Sequence, residues 1–282
     1  MPDSTRTAHC AVARKIVVQT RGAGHGPITR LVSPSDIGQL IKPFIFLDLF
    51  DAPADAFGGF GMHPHSGIAT LTVLLHGATR YEDTTGKSGV LPAGGLEWMM
   101  AGGGVWHTGS PLPGQHTRGF QLWVAMPPEL ENATPMSQYV APQEIGRDGP
   151  AQVLLGQLRG AHSPINHPAA INCLSVTLAP GEHWRYQPPS GHDVAWIAVH
   201  RGAVQVPTAV VSGELAVFEA GNAAIDFHAS DGCGFVLGSA VGHPHALVSG
   251  SYSVHTSRAA LALGETQIRH IGQQLRAAGR LT

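Results

Sequence analysis

The sequence predicts an all-β protein in two strand-rich halves closed by one short C-terminal helix, and three observations carry that reading. Its 282 residues include 36 glycines and 21 prolines, about a fifth of the chain. Roughly 12% is usual, and breakers in this number argue against a mainly helical fold. Apolar residues come in short runs bounded by Gly, Pro, Asn or Asp, the pattern of strands in a sandwich or barrel. Helical periodicity occurs in one stretch only, near the C-terminal end.

In chain order, the strand candidates of the first half are residues 16–18, 44–47, 68–75, 96–100 and 120–124. Asp83-Thr84-Thr85-Gly86-Lys87-Ser88-Gly89 and Pro92-Ala93-Gly94 read as turns between such runs. From Pro127-Pro128 to Asp148-Gly149-Pro150 the chain turns polar, with Glu129, Glu131, Asn132 and Gln138. A linker over 128–150 sets the expected domains at 1–135 and 136–282. The second half repeats the plan at 171–178, 194–199, 204–206, 214–218, 223–227 and 234–237, a spacing that predicts a second barrel or sandwich. Residues 265–278 place Ile268, Ile271 and Leu275 on one helical face, with Gly279 at the C′ position.

Charge excludes some functions. Lys plus Arg is 17 and Asp plus Glu is 19. Three lysines (Lys15, Lys42, Lys87) leave no basic stripe for nucleic acid, so no direct nucleic-acid contact is expected. Cys10, Cys173 and Cys233 are odd in number and far apart, which gives neither a disulfide framework nor a metal pair and fits a reducing, cytoplasmic setting. Residues 1–15 carry no apolar leader core, and no run reaches the roughly 18 apolar residues of a membrane helix, so no membrane association is expected.

Histidine is the excess: 17 residues, as many as Lys and Arg together. His63-Pro64-His65 leads into the run at 68–75. Residues i and i+2 of a strand share a face, so the two rings can aim at one point, as ligands about 2.0–2.1 Å from a divalent ion do. His107 follows after one hairpin, the run 96–100 and Gly102-Gly103-Gly104, a length that brings it back to the pair. The same spacing also arises where two histidines merely flank a turn.

The residues carry a resemblance as well. Phe44-Ile45-Phe46-Leu47-Asp48, Met62-His63-Pro64-His65-Ser66-Gly67, the segment 97–107 from Glu97-Trp98-Met99-Met100 to Trp106-His107, and Phe120-Gln121-Leu122-Trp123-Val124 closely resemble, in order, the signatures of the pirin family of bicupins. Residues 191–204 and 242–254 resemble the pirin C-terminal half more loosely. The resemblance implies two tandem cupin-like β-barrels, with a mononuclear metal in the first held by three His and one Glu. Motif positions put the histidines at His63, His65 and His107. The Glu expected two residues after the third His is Gly109 here, and a second common Glu position is Ala69. Three neutral imidazoles leave a divalent ion at charge +2, so a bound water or anionic substrate is polarised more strongly than with a Glu ligand.

The implied cofactor is a divalent metal ion, iron first, with Mn, Ni, Cu and Zn left open by the ligand type. The implied activity is that of a quercetin (flavonol) dioxygenase, with a small phenolic substrate and dioxygen. The alternative is a non-enzymatic, redox- or metal-sensitive regulatory protein acting through a protein partner, or a scaffold without metal.

Other residues are read as structural. Glu97 is expected to face solvent between Leu96 and Trp98. Asp48 and Asp51 read as turn residues, His116 as an exposed loop histidine, and Cys173 and Cys233 as inert thiols. Glu97 and His116 are the two candidates for a fourth ligand. His243-Pro244-His245 has no third histidine at the right distance and reads as structural. The run Gly102-Gly103-Gly104 is a bend that turns His107 inward, not a phosphate loop, since no Lys-Ser or Lys-Thr follows.

Overall fold

A computed structural model describes residues 14–54 and 58–281, so Cys10 and most of the 1–15 segment lie outside the described residues. The architecture is two β-barrels and one closing helix, as the strand runs predict. In the first barrel a seven-stranded sheet runs, edge to edge, Met136–Val140, Leu96–Met100, Ile68–His76, Thr117–Ala125, Phe44–Ala52, Ile28–Val32 and Ala23–His25. It faces a four-stranded sheet of Phe60–His65, Val105–Pro111, Ala78–Asp83 and Ser88–Pro92. The second barrel is a ten-stranded sheet built around Val194–Val206, Cys233–Ala240 and Ile171–Leu178.

The halves exchange strands. Ile16–Thr20 pairs with Leu215–Phe218 in the second barrel, and the polar stretch read as a linker holds Met136–Val140, which pairs with Leu96–Met100 in the first. The stretch orders because Ser137 and Val140 turn inward and the Tyr139 ring stacks on Tyr81 at 3.5 Å.

The seven-stranded sheet is covered on both faces, and that decides which side chains can reach a site. Leu47, Leu49, Leu71, Val73, Leu96, Trp98, Phe120 and Leu122 pack outward against Trp196, Ala198, Val217 and Val236 of the second barrel in one shared core. Alternation then sends the neighbours inward. Register aligns these inward residues as one polar row: Arg30 opposite Asp48, Asp48 opposite Gln121, Gln121 opposite Thr72, Thr72 opposite Glu97, and Glu97 opposite Tyr139.

Two expectations are corrected here. Glu97 does not face solvent; it is 6% exposed and points into the barrel, because both faces of its strand are buried. Asp48 and Asp51 are not turn residues but lie within Phe44–Ala52, with Asp48 buried and paired with Arg30.

The helix is longer than predicted, Arg258–Ala277, with Ser257 as its N-cap, Oγ accepting from the Ala260 N–H. Its buried stripe is Gly264, Ile268, Gly272 and Leu275. A Cβ at Gly264 would meet Ser66 Oγ at 2.4 Å, and one at Gly272 the Trp106 ring at 2.7 Å, so the helix backbone lies directly on the first barrel. Trp106 Nε1 donates to the Ile268 carbonyl at 2.8 Å. Cys173 and Cys233 are buried free thiols; burial pushes Cys173 up to about 12, which keeps it inert. Among the described residues no helix is long and apolar enough to cross a membrane.

Candidate metal centre

The strands Phe60–His65 and Val105–Pro111 pair antiparallel, with His63 opposite His107 and His65 opposite Val105. His63 and His65, on one face as their spacing requires, therefore meet His107 across the ladder. Ring centroids are 5.0 Å apart for His63 and His65, 4.4 Å for His63 and His107, and 5.1 Å for His65 and His107. One nitrogen from each ring lies within 4.8 Å of the others. The bend that returns His107 needs glycine: Gly102 has φ +50°, and a Cβ there would sit 2.0 Å from the Ala133 carbonyl oxygen.

Each Nδ1 is turned to a protein acceptor. His63 Nδ1 is 2.7 Å from the Gly61 carbonyl, His65 Nδ1 is 3.0 Å from the Tyr252 carbonyl, and His107 Nδ1 is 3.5 Å from Glu97 Oε1. Neutral rings with the proton on Nδ1 present their Nε2 lone pairs. His107 Nε2 is buried and has no hydrogen-bond partner, an orphan that a metal ion would satisfy. Burial and the neighbouring His107 hold His63 down to about 4, and burial lowers His65 well below its usual value. Both rings are then neutral at pH 7, the form that ligates. The residues present fit a divalent ion.

Tyr252 reaches His65 because the hairpin Val248–Ser249 and Val254–His255 is latched onto the first barrel. Ser66 Oγ lies 2.8 Å from Ser253 Oγ and 3.0 Å from His255 Nε2. Glu131 accepts the Thr256 N–H at 2.6 Å and the Thr256 hydroxyl at 3.0 Å, and sits 3.8 Å from His255 Nδ1.

The triad opens on a cavity of about 460 Å³ whose apolar walls include Phe46, Phe50, Phe60, Tyr81, Leu91 and Trp123. Phe46 and Trp123 stack at 4.1 Å, and the polar row from Arg30 to Glu97 crosses the same cavity. Glu97 accepts from Thr72 Oγ1 at 2.6 Å and from Tyr139 OH at 3.2 Å. Burial alone would raise its carboxyl, but contacts from His107, Thr72 and Tyr139 overcome that and hold it below the usual carboxylate range.

The other sequence candidates separate from the site. His116 is exposed and pairs with Asp51, outside the residues lining the cavity. His243 and His245 stand 5.4 Å apart, and among the described residues no third ligand type joins them. Gly109 lines the cavity, and a Cβ there would meet only Thr79 Cγ2 at 3.5 Å. Sequence reading missed Thr72, Gln121, Tyr139 and Tyr252. Polar residues at alternate positions of a run buried on both faces mark the first two; Tyr252 is 187 residues from His65 and has no local signal.

Residues 27–124 match the family model Pirin. A pirin-like protein of Caulobacter vibrioides is 36% identical over 201 residues, covering 68% of this chain and 72% of that protein. Among solved structures, quercetin 2,3-dioxygenase from Acinetobacter baumannii superposes with a TM-score of 0.83 at 21% identity, over 93% of this chain and 98% of that one. The bacterial pirin YhhW from Escherichia coli, in complex with nickel(II), gives a TM-score of 0.65 at 21% identity, over 82% of this chain and 96% of that one. The two barrels are thus a bicupin, and the extent of the sequence match shows that the chain belongs to the pirin family.

Proposed function

We propose that this chain is a metal-dependent oxygenase of phenolic compounds of the flavonol type, with His63, His65 and His107 holding one divalent ion, iron first. The observation that carries the reading is the buried, unpartnered Nε2 of His107 facing two further neutral imidazoles. A divalent ion bound there would supply Lewis acidity and, if redox-active, an electron path between phenolate and dioxygen. The chain's own residues do the rest. The stacked Phe46 and Trp123 with Phe50, Phe60 and Tyr81 form walls for a planar aromatic ligand beside the triad. The polar row offers hydrogen-bond partners for its oxygens, and Gln121 Nε2 is a buried donor with no partner.

Gly109 we read as the place where the family's ligand Glu is missing. Its open surroundings predict that Gly109→Glu folds and binds metal more tightly than wild type. Metal analysis of the purified protein, coupled to oxygen uptake with a flavonol, tests the function. Bound metal with turnover supports it. Bound metal without turnover over a broad phenolic panel moves the reading to a metal-sensitive regulatory protein, and absence of metal after reconstitution refutes both.

A further inference from the structure

Three acceptors back the three rings, and they differ in charge. His63 and His65 face neutral backbone carbonyls, of Gly61 and Tyr252. Only His107 faces a side chain that carries a full negative charge. Glu97 Oε1 is 3.5 Å from its Nδ1, whereas its Nε2 is the buried nitrogen with no partner. The carboxylate is not free to swing round the ring. Oε2 is held by the Thr72 hydroxyl at 2.6 Å and Oε1 by Tyr139 OH at 3.2 Å. The single Tyr139 proton is shared between Glu97 Oε1 and Asp83 Oδ2, the latter at 3.0 Å, and Asp83 takes the Thr85 N–H at 2.7 Å. Among the described residues Glu97 is outside the group whose ligand atoms converge.

We propose that Glu97 is the positioning residue of the metal centre, acting through His107: its fixed carboxylate faces the Nδ1–H, holds the ring with Nε2 toward the ion, and makes that nitrogen the most basic of the three. This rests on the metal-centre reading given above. A carboxylate behind a ligating imidazole fixes its tautomer and raises its basicity, and loss of such a partner costs roughly 10–100-fold in metal affinity. It also returns to the site one negative charge that three neutral ligands do not supply. Both oxygens being engaged, Glu97 is neither a ligand nor a base for substrate.

The test is cobalt(II) titration of the metal-free 282-residue chain, read as affinity against a competing chelator and as the visible bands of the bound ion. Glu97→Gln keeps the shape and removes the charge, and is expected to lower affinity roughly 10–100-fold and to shift the bands. Glu97→Asp keeps the charge and is expected to recover part of the loss. Thr72→Val, which frees one oxygen, is expected to lose several-fold and serves if the Glu97 variants fail to fold, which circular dichroism of the metal-free forms reports. Folded Glu97→Gln with wild-type affinity and bands overturns the proposal and leaves the metal centre standing. Equal losses in Glu97→Gln and Glu97→Asp also overturn it, since charge then plays no part. Wild type that takes up no cobalt overturns this proposal and the metal centre together.

Discussion

The C-terminal barrel is filled by Trp184, Tyr186, Phe227 and Phe235 with Val and Leu between them, ring against ring, Phe227 and Phe235 stacking at 5.0 Å. The N-terminal barrel instead carries Asp48, Thr72, Glu97, Gln121 and three histidines around a cavity of about 460 Å³. What differs is what the alternate positions hold, and the physical consequence is opposite. Packed apolar side chains stabilise the fold, whereas an open, polar lumen leaves groups such as His107 Nε2 and Gln121 Nε2 unsatisfied. The second barrel thus packs apolar side chains where the first leaves polar groups facing a cavity.

The sharpest way to break this comparison is to remove a triad ring. His107→Ala is expected to abolish measurable metal uptake, a loss beyond the roughly 100-fold that an outer partner costs, while the protein stays folded by circular dichroism. Its counterpart in the other lumen is Phe235→Ala, expected to cost about 3–5 kcal/mol in denaturant unfolding and to leave metal affinity of the folded fraction unchanged. Loss of affinity there would mean that the barrels are not divided in this way.

Gly264→Ala probes the latch between them. The new methyl would meet Ser66 Oγ at 2.4 Å and His255 Nε2 at 2.7 Å, so the hairpin carrying the Tyr252 carbonyl must shift. A several-fold fall in metal affinity is expected from chelator competition, with His65 as the ring affected. Gln121→Leu makes the N-terminal lumen more like its partner. By removing an unpaired buried donor it is expected to raise stability by about 1 kcal/mol while lowering turnover of a phenolic substrate.

A further prediction concerns pH. Burial lowers His63 from 6.5 to about 4, so between those values the unfolded chain binds a proton that the folded, metal-free chain does not. That contribution to stability is complete above pH 6.5 and is lost as pH falls toward 4. Unfolding of metal-free protein across this window should show the slope, and His63→Ala should flatten it.

The strand plan and the His63–His65 pair are legible because both are local, whereas His107 is joined to the pair by the length of the returning chain and by the family motif. Short runs between glycines mark strands, and His63-Pro64-His65 announces its own shared face. Glu97 was misread by the same rule that worked elsewhere: alternation separates two faces but does not say that the second is wet, and here a lumen takes the place of solvent. The helix begins at Arg258, before the expected 265, and Gly264 within it lets the backbone approach Ser66 and His255. Tyr252 was beyond reach, since only the folded hairpin brings its carbonyl to His65.

The central claim is that the metal belongs to one barrel and to three named rings. Anomalous diffraction at the metal edge, from crystals of reconstituted protein, tests it most directly. A single strong peak between the Nε2 atoms of His63, His65 and His107 is the expected result. A principal peak at His243 and His245 or elsewhere in the C-terminal barrel, or no peak in a protein that diffracts well, would contradict the account.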